Sequence, residues 1–549
     1  MAIGILSRQR RHQSRPATWT GLVGSVAIAL TAWVAEPAVA ALNPVIQVGI
    51  VQRFGEDMQD RMVLEALQGE QLTLSFDTQG QSQTVTTQRV VIGLAPEPLP
   101  QATLTERIVL GNHRSFETAE YSAQQWRAKG IEPEIAQPGS WEVWANREQY
   151  DSPLVRRLLV KNLHAQGHNE VFLDSRVIGQ IPRTYFEANG YRYNRNSFDI
   201  RSTSGRVRVT HPGDPPVTRV YGGTLRVQPN TYGTYTLVNS VPIETYLRGV
   251  VPHEIGAGAP VPAIQAQAVL ARTYALRNLR RFEIDDYELC ADTQCQVYRG
   301  LTGTAPVTDQ AIVATQGQVL TYNNELVDAL YSSTSGGITA AFSDVWDGPD
   351  RPYLRPVVDT VHSLWDINQY PLNSEAAFRR FISLNEGFNE VGWSLFRWRN
   401  EGQLSEITAD LKGYLGRRQH PLAGFTQVRS LRVADRANSG RVQLVEVETD
   451  IGIVELRKDE IVRVLRPPRS LLFYIEPIHS AGVGGAPGQL TGYRFVGGGW
   501  GHAVGLSQAG SYRLGNLGWA YPRILQFYYP GTTLQPISEN LTFWREPGW

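Results

Sequence analysis

The sequence predicts an α+β fold, in which a mixed, β-rich region with one long central helix follows a smaller split βαβ unit. Three observations carry this. Short segments of alternating apolar and polar residues, parted by Gly and Pro, recur through residues 42–100 and 190–240, as half-buried antiparallel strands do. Residues 104–178 break that pattern with two helical stretches, giving the order β-α-β-β-α-β. Between 261 and 282, Ile264, Ala268, Ala271, Ala275, Leu279 and Phe282 recur at spacings of four and three, one continuous apolar stripe along a helix.

The elements follow in order. The first residues read as an export signal. Arg8, Arg10, Arg11 and Arg15 form a basic start, residues 17–35 are apolar, and Ala38-Val39-Ala40 fits a cleavage site, so 1–40 is taken as a signal peptide with the mature chain starting near Ala41. Its rival reading is an uncleaved anchor, which would be the chain's one membrane contact; either way the protein works in the periplasm or cell envelope. Residues 41–100 then form a small β unit, closed by the linker-like PEPLP. In 101–180, strand ERIVLGN, helix ETAEYSAQQWRAKG, strands EPEIA and WEVWAN, helix PLVRRLLVKNLHAQG and strand EVFLDS follow one another. This layout resembles SPOR domains, which bind peptidoglycan glycan strands, and the resemblance implies glycan binding with Trp126, Trp141 and Trp144 available. The β-rich region with the long helix spans 190–549. Within it, 360–480 reads as an insert shaping a groove, with helical pieces SEAAFRRFISL and SEITADLKGYLGRR and a hairpin of VQLVEVETD with GIVELRK.

Composition excludes some functions. Lys plus Arg equals Asp plus Glu, 52 each, so nothing argues for nucleic acid as a partner. Two cysteines, Cys290 and Cys295, stand five apart. In an oxidising compartment they could close a small disulfide loop; a zinc site, the rival, needs four ligands and has no further Cys nearby.

Motifs with known chemistry fail by single residues. His253-Glu254 would open a zinc-protease H-E-x-x-H, but position 257 is Ala. The run GGGWGHAVGLSQAG at 497–510 holds six glycines, yet it misses the dinucleotide loop at Val504, the nucleophile elbow at Ala509 and the P-loop for want of Lys. What remains is a carboxylate, Glu254, just before a helix started by Pro260 and Pro262, with Gln265 and Arg272 sharing another of its faces.

Four blocks in order make that carboxylate more than a loop residue. YLRGVVPHE with AIQAQAVLARTYAL, CADTQCQVYRG (290–300), YSSTSGGITAAFSDVWDGPDRPYLRPVVD (331–359), and the glycine-rich run with LGWAYPRILQFYYPGTTL resemble the stage II sporulation protein D family, shared with bacterial amidase enhancers. They span 215–536. Two departures stand out: Gln265 where the family usually has Lys, and Ala503 where it usually has Gly.

The resemblance implies a lytic transglycosylase acting on peptidoglycan glycan strands stripped of stem peptides, with Glu254 as its single acid and no cofactor or metal. It implies substrate contacts from Arg272, Gln265, Gln267, Gln296, Tyr298, Ser335, Gly336, His502, Ser507 and Gln508. The glycine-rich loop is expected to let a sugar strand lie close. Relatives that bind zinc near the cysteines also need histidines, and none lies between 254 and 361, so no zinc is expected. A two-carboxylate hydrolase would instead recruit Asp292, Asp344 or Asp347. The alternative function is a non-catalytic module that presents glycan to a cell-wall amidase, a possible partner; a purely structural envelope protein would need no acid at all.

Overall fold

A computed structural model describes residues 42–418, 420–481 and 488–545. The export signal expected at 1–40 lies outside the described residues. The chain is mixed α and β, and among the described residues no helix is long and apolar enough to cross a membrane.

Sequence-distant strands interleave in two sheets. The first runs Leu289–Cys290, Val45–Phe54, Tyr235–Pro242, Thr224–Pro229, Phe198–Ser202, Leu72–Thr78, Gln81–Thr87. Val45 faces Pro242 and Val48 faces Asn239, so the first described strand is paired by residues from the middle of the chain. The second sheet contains the long strand Arg89–His113, flanked on one side by Met62–Ala66 and on the other by Trp141–Ala145. The boundaries expected at 100/101 and 180/190 therefore do not fall between separate units: Arg89–His113 runs through the first and Phe172–Ala188 through the second without a break in the sheet. The Pro residues of PEPLP are tolerated because this stretch is an exposed two-stranded ribbon.

Within 89–188 the elements run strand, helix, two strands, helix, strand. The four strands lie as Phe172–Ala188, Arg89–His113, Trp141–Ala145, Pro133–Ala136, every neighbour antiparallel. Helix α1 (Phe116–Ala128) starts where Ser115 accepts the Thr118 N–H, and α2 (Pro153–Ala165) where Ser152 accepts that of Val155. The tryptophans expected to meet glycan are interior instead: Trp126, Trp141 and Trp144 are 5%, 2% and 0% exposed. Trp126 of α1 and Trp141 seal the helix against the sheet, and Trp144 fills a separate cluster with Val109 and Ala136 on the other face.

Two helices position the candidate site. Helix α3 (Ile243–Glu254) ends at Glu254, and α4 (Val261–Arg277) is buried on nearly every side rather than along one stripe. Its alanines let α3 and the strand Gln318–Tyr322 approach closely; Leu270 and Leu276, fully interior, contribute about 1.5–3 kcal/mol each. Asn278 ends α4, so Leu279 and Phe282 continue the apolar stripe outside the helix. The helical pieces and hairpin anticipated in the insert appear as Glu375–Ile382, Leu404–Arg417 and the pair Val442–Thr449 with Ile453–Arg457. Part of this region has its own apolar cluster around Phe378, Phe381, Phe388 and Leu472.

Candidate active site

Glu254 lies on the wall of a cavity of about 930 Å³. The cavity is composite. Phe116 and Trp141 come from the α1 region, Tyr331, Ser332 and Trp346 from the block at 331–359, Arg469 from the insert, and Trp500 and His502 from the glycine-rich run.

The carboxyl of Glu254 accepts one backbone N–H, from Val297 at 2.7 Å, and among the described residues makes no ion pair. Burial raises its pKa above the usual carboxylate value, and the Val297 N–H opposes this only in part. Phenols lie close by: the titrations of buried Tyr246 and Tyr274 and of partly buried Tyr331 are each pushed up, first by burial. A carboxyl so placed keeps its proton further toward neutral pH, as a general acid needs.

Its backbone is fixed as well. Gln508 donates to the Glu254 carbonyl at 3.0 Å and to Gln267 Oε1 at 3.3 Å. Gln296 accepts from Tyr246 at 3.1 Å and donates to Tyr331 at 3.0 Å, next to the Val297 N–H that meets the acid. Three of the expected ligand contacts, Gln267, Gln296 and Gln508, are thus brought near Glu254: Gln508 holds its carbonyl, Gln296 is held between two tyrosines, and the Gln267 Nε2 is buried with no partner among the described residues.

Other expected contacts turn inward. Arg272 is 0% exposed and forks onto Glu244 with two 2.8 Å bonds, so it anchors the start of α3 and does not face the cleft. Tyr298 is buried and donates to Asn239, and Gln265, half-exposed on α4, does not line the cavity. Ser335, Gly336 and Ser507 are engaged by Glu390, a wholly buried carboxylate that sequence reasoning missed. It accepts the N–H groups of Ser335, Gly336 (2.8 Å) and Gly337 (3.1 Å) and the Ser507 hydroxyl. Glu390 comes from the insert, so this stretch joins the blocks on either side of it. His502 does line the cavity, packed on Trp346 with ring centroids 5.1 Å apart; burial lowers its pKa to about 4, so the ring is neutral at pH 7.

The glycine-rich run approaches protein backbone rather than an open groove. A Cβ on Gly505 would stand 2.0 Å from the Leu330 carbonyl oxygen, and one on Gly336 only 2.6 Å from the Gly498 backbone. The run is packed against 330–336, and Trp500-Gly501-His502 is the part that reaches the cavity. Ala503, where the resembled family usually has Gly, sits at φ 61°, a left-handed conformation that costs an L-residue about 1–2 kcal/mol.

The carboxylates considered as hydrolytic partners are engaged elsewhere. Asp344 binds Ser439 and the Ala341 N–H, Asp347 pairs with Lys458 at 2.8 Å, and Asp292 accepts from Gln294. None lines the cavity; Glu117 and Asp459 do. Neither carried a motif, which is why the sequence did not mark them.

Cys290 and Cys295 are joined as a disulfide with Cα atoms 5.6 Å apart, tying the sheet edge to the loop that carries Gln296 and Val297. Replacing both by Ser is expected to cost about 2 kcal/mol, the low end for a loop this short. Urea denaturation with and without the bond checks this, and an unchanged midpoint would contradict it.

Comparison with known proteins accords with this geometry. Residues 231–322, which include Glu254, match the stage II sporulation protein family, and residues 340–505 match a domain of unknown function (DUF8618). The chain is 26% identical over 401 residues to the amidase enhancer of Bacillus subtilis, covering 66% of this chain and 52% of that protein. It is 34% identical over 163 residues to stage II sporulation protein D of the same organism, covering 26% and 46%. An uncharacterized protein of Brachyspira hyodysenteriae is 26% identical over 321 residues, 57% of this chain and 72% of its own length. The chain thus spans about half the length of the two Bacillus proteins.

Proposed function

Because the chain belongs to the stage II sporulation protein D and amidase enhancer family, we propose that it is an exported lytic transglycosylase that cuts peptidoglycan glycan strands, preferably those without stem peptides, during cell-wall remodelling. The observation that carries this reading is Glu254: a half-buried carboxyl, without an ion pair among the described residues and with a raised pKa, on the wall of an aromatic-lined cavity.

One carboxyl suffices for the reaction. Protonated Glu254 gives its proton to the glycosidic oxygen as the C1–O bond breaks. The carboxylate so formed takes the proton of the sugar's own 6-hydroxyl, whose oxygen bonds to C1 and closes a 1,6-anhydro ring. Glu254 ends protonated, ready for the next cut, and no water is consumed. The single N–H from Val297 steadies the carboxylate without holding it permanently ionised, as an arginine would.

The full chain incubated with peptide-free glycan should release anhydro-ended fragments, read by mass spectrometry. Reducing ends instead would mean hydrolysis, with Glu117 and Asp459 the further carboxylates in the cavity. Binding without any cleavage would favour the second reading, presentation of glycan to a cell-wall amidase, which the amidase enhancer among the relatives supports.

The raised pKa sets the pH profile. A carboxyl whose folded pKa lies above its ordinary value retains its proton at higher pH, so the active acid form is complete at low pH and lost as pH rises through that pKa. Turnover at saturating glycan is expected to fall on the alkaline side at a pH above the usual carboxylate range, around 4.3. A limb at or below that value would show that burial does not tune this group.

A further inference from the structure

Resting on the reading of this cavity as a glycan site, we propose that its outer wall recognises an acidic substituent on the ligand, and that Arg469 is the residue that determines this preference. The wall carries four arginines, Arg114, Arg281, Arg463 and Arg469. They differ in what they already hold. Arg281 is spent on Glu117, the Gln294 carbonyl and Asn278. Among the described residues Arg463 meets only Asp459, loosely, at 3.8 Å. Arg114 lies over the Tyr414 ring at 5.0 Å, with its Nε buried and unpartnered.

Arg469 is exposed, and among the described residues its guanidinium has no ion pair or hydrogen bond. Its backbone carbonyl takes the Gly501 N–H at 3.4 Å, which sets it beside Trp500, 50% exposed, and the neutral His502. A sugar ring can lie on the indole face while a carboxylate or phosphate meets the guanidinium fork, the geometry such a fork suits. The carboxylates on the same cavity do not cancel the charge of Arg469: Glu117 is neutralised by Arg281, Asp459 is met by Arg463, and Glu254 is the acid that must be protonated to act. Arg469, Arg463 and Arg114 all lie outside residues 231–322. The preference is therefore added by the α1 region and the insert to a core that carries the acid.

The test measures binding of full-length chains in a Glu254→Gln background, so that nothing is consumed. The probes are peptide-free glycan with free lactyl carboxylates, the same glycan with those groups converted to methylamides, and neutral chitohexaose. Amidation and Arg469→Ala should each weaken binding about tenfold or more, with no further loss when combined, and leave chitohexaose binding unchanged. Arg469→Lys, charged but without the fork, should fall between. Inorganic phosphate competing as well as acetate would widen the acceptable anion to phosphate; acetate competing alone would restrict it to carboxylate. Equal affinity for the acidic and amidated glycans, or an Arg469→Ala variant indistinguishable from its parent, overturns the proposal while the glycan site stands. If no probe binds, chitohexaose included, the glycan reading fails and takes this one with it. Arg469 is exposed, so circular dichroism should show each variant folded.

Discussion

Release of anhydro-ended products should fall by ~10²–10⁴-fold on Glu254→Gln, the span general acid–base groups typically contribute. The amide keeps the shape of the side chain, and its carbonyl can still accept the Val297 N–H. It has no titrating proton, so both transfers fail in one substitution. Glycan binding should survive, which separates loss of chemistry from loss of site, and circular dichroism should match the parent. The alkaline fall of the pH profile should also vanish from whatever residual rate is left. A folded variant cutting at the parental rate would remove Glu254 from the mechanism.

The largest stability effect is expected from Arg272→Ala, at about 3–5 kcal/mol, the range for breaking a buried ion pair by removing one partner. Arg272 is 0% exposed and Glu244 14%, so the orphaned carboxylate has little water to turn to. Three elements lose their tie at once: Glu244 opens α3, Arg272 lies in α4, and its third contact is the Gln318 carbonyl at 3.0 Å. Glu244 also holds the Gly317 N–H at 3.1 Å. Replacing both partners, as Glu244→Gln with Arg272→Met, should cost less than the single change, because no charge is left alone. Urea denaturation of the two variants decides it; a loss under 1 kcal/mol for Arg272→Ala would contradict the argument.

Arg272 also shows where sequence reading stops. On a helical wheel it is a charged residue on a polar face, and a charge ordinarily signals solvent. Its burial follows from Glu244, 28 positions earlier on another helix, and no periodicity reports a pairing across elements. Helices such as Phe116–Ala128 and Val261–Arg277 were legible because their apolar spacing and their caps are local. Most strands were legible for the same reason, but not the stretch of Arg89–His113 that carries PEPLP, whose prolines read as a linker. Strand partners were not: alternation tells Val48 which way to point, but not that Asn239 lies opposite. Glu254 was found through ordered blocks rather than through its own surroundings. The glycine-rich run announced a close approach, yet glycine cannot say whether sugar or backbone comes near. The cavity wall was invisible because Trp141, Asp459 and Arg469 meet only after the whole chain has folded.

The interleaved sheets have a consequence for synthesis. Val45–Phe54 finds its neighbour only when Tyr235–Pro242 has been made, and its other edge only with Leu289–Cys290. At ~5–20 residues per second, an emerging first strand stays unpaired for roughly 10–40 s. Thr533–Pro536, near the end of the chain, supplies the last partner of Gln318–Tyr322. Units such as 89–188 and 428–457 pair within themselves, but completion of the first sheet waits for partners made much later. Through that interval the edge of Val45–Phe54 is open, and a holding chaperone has time to act on it.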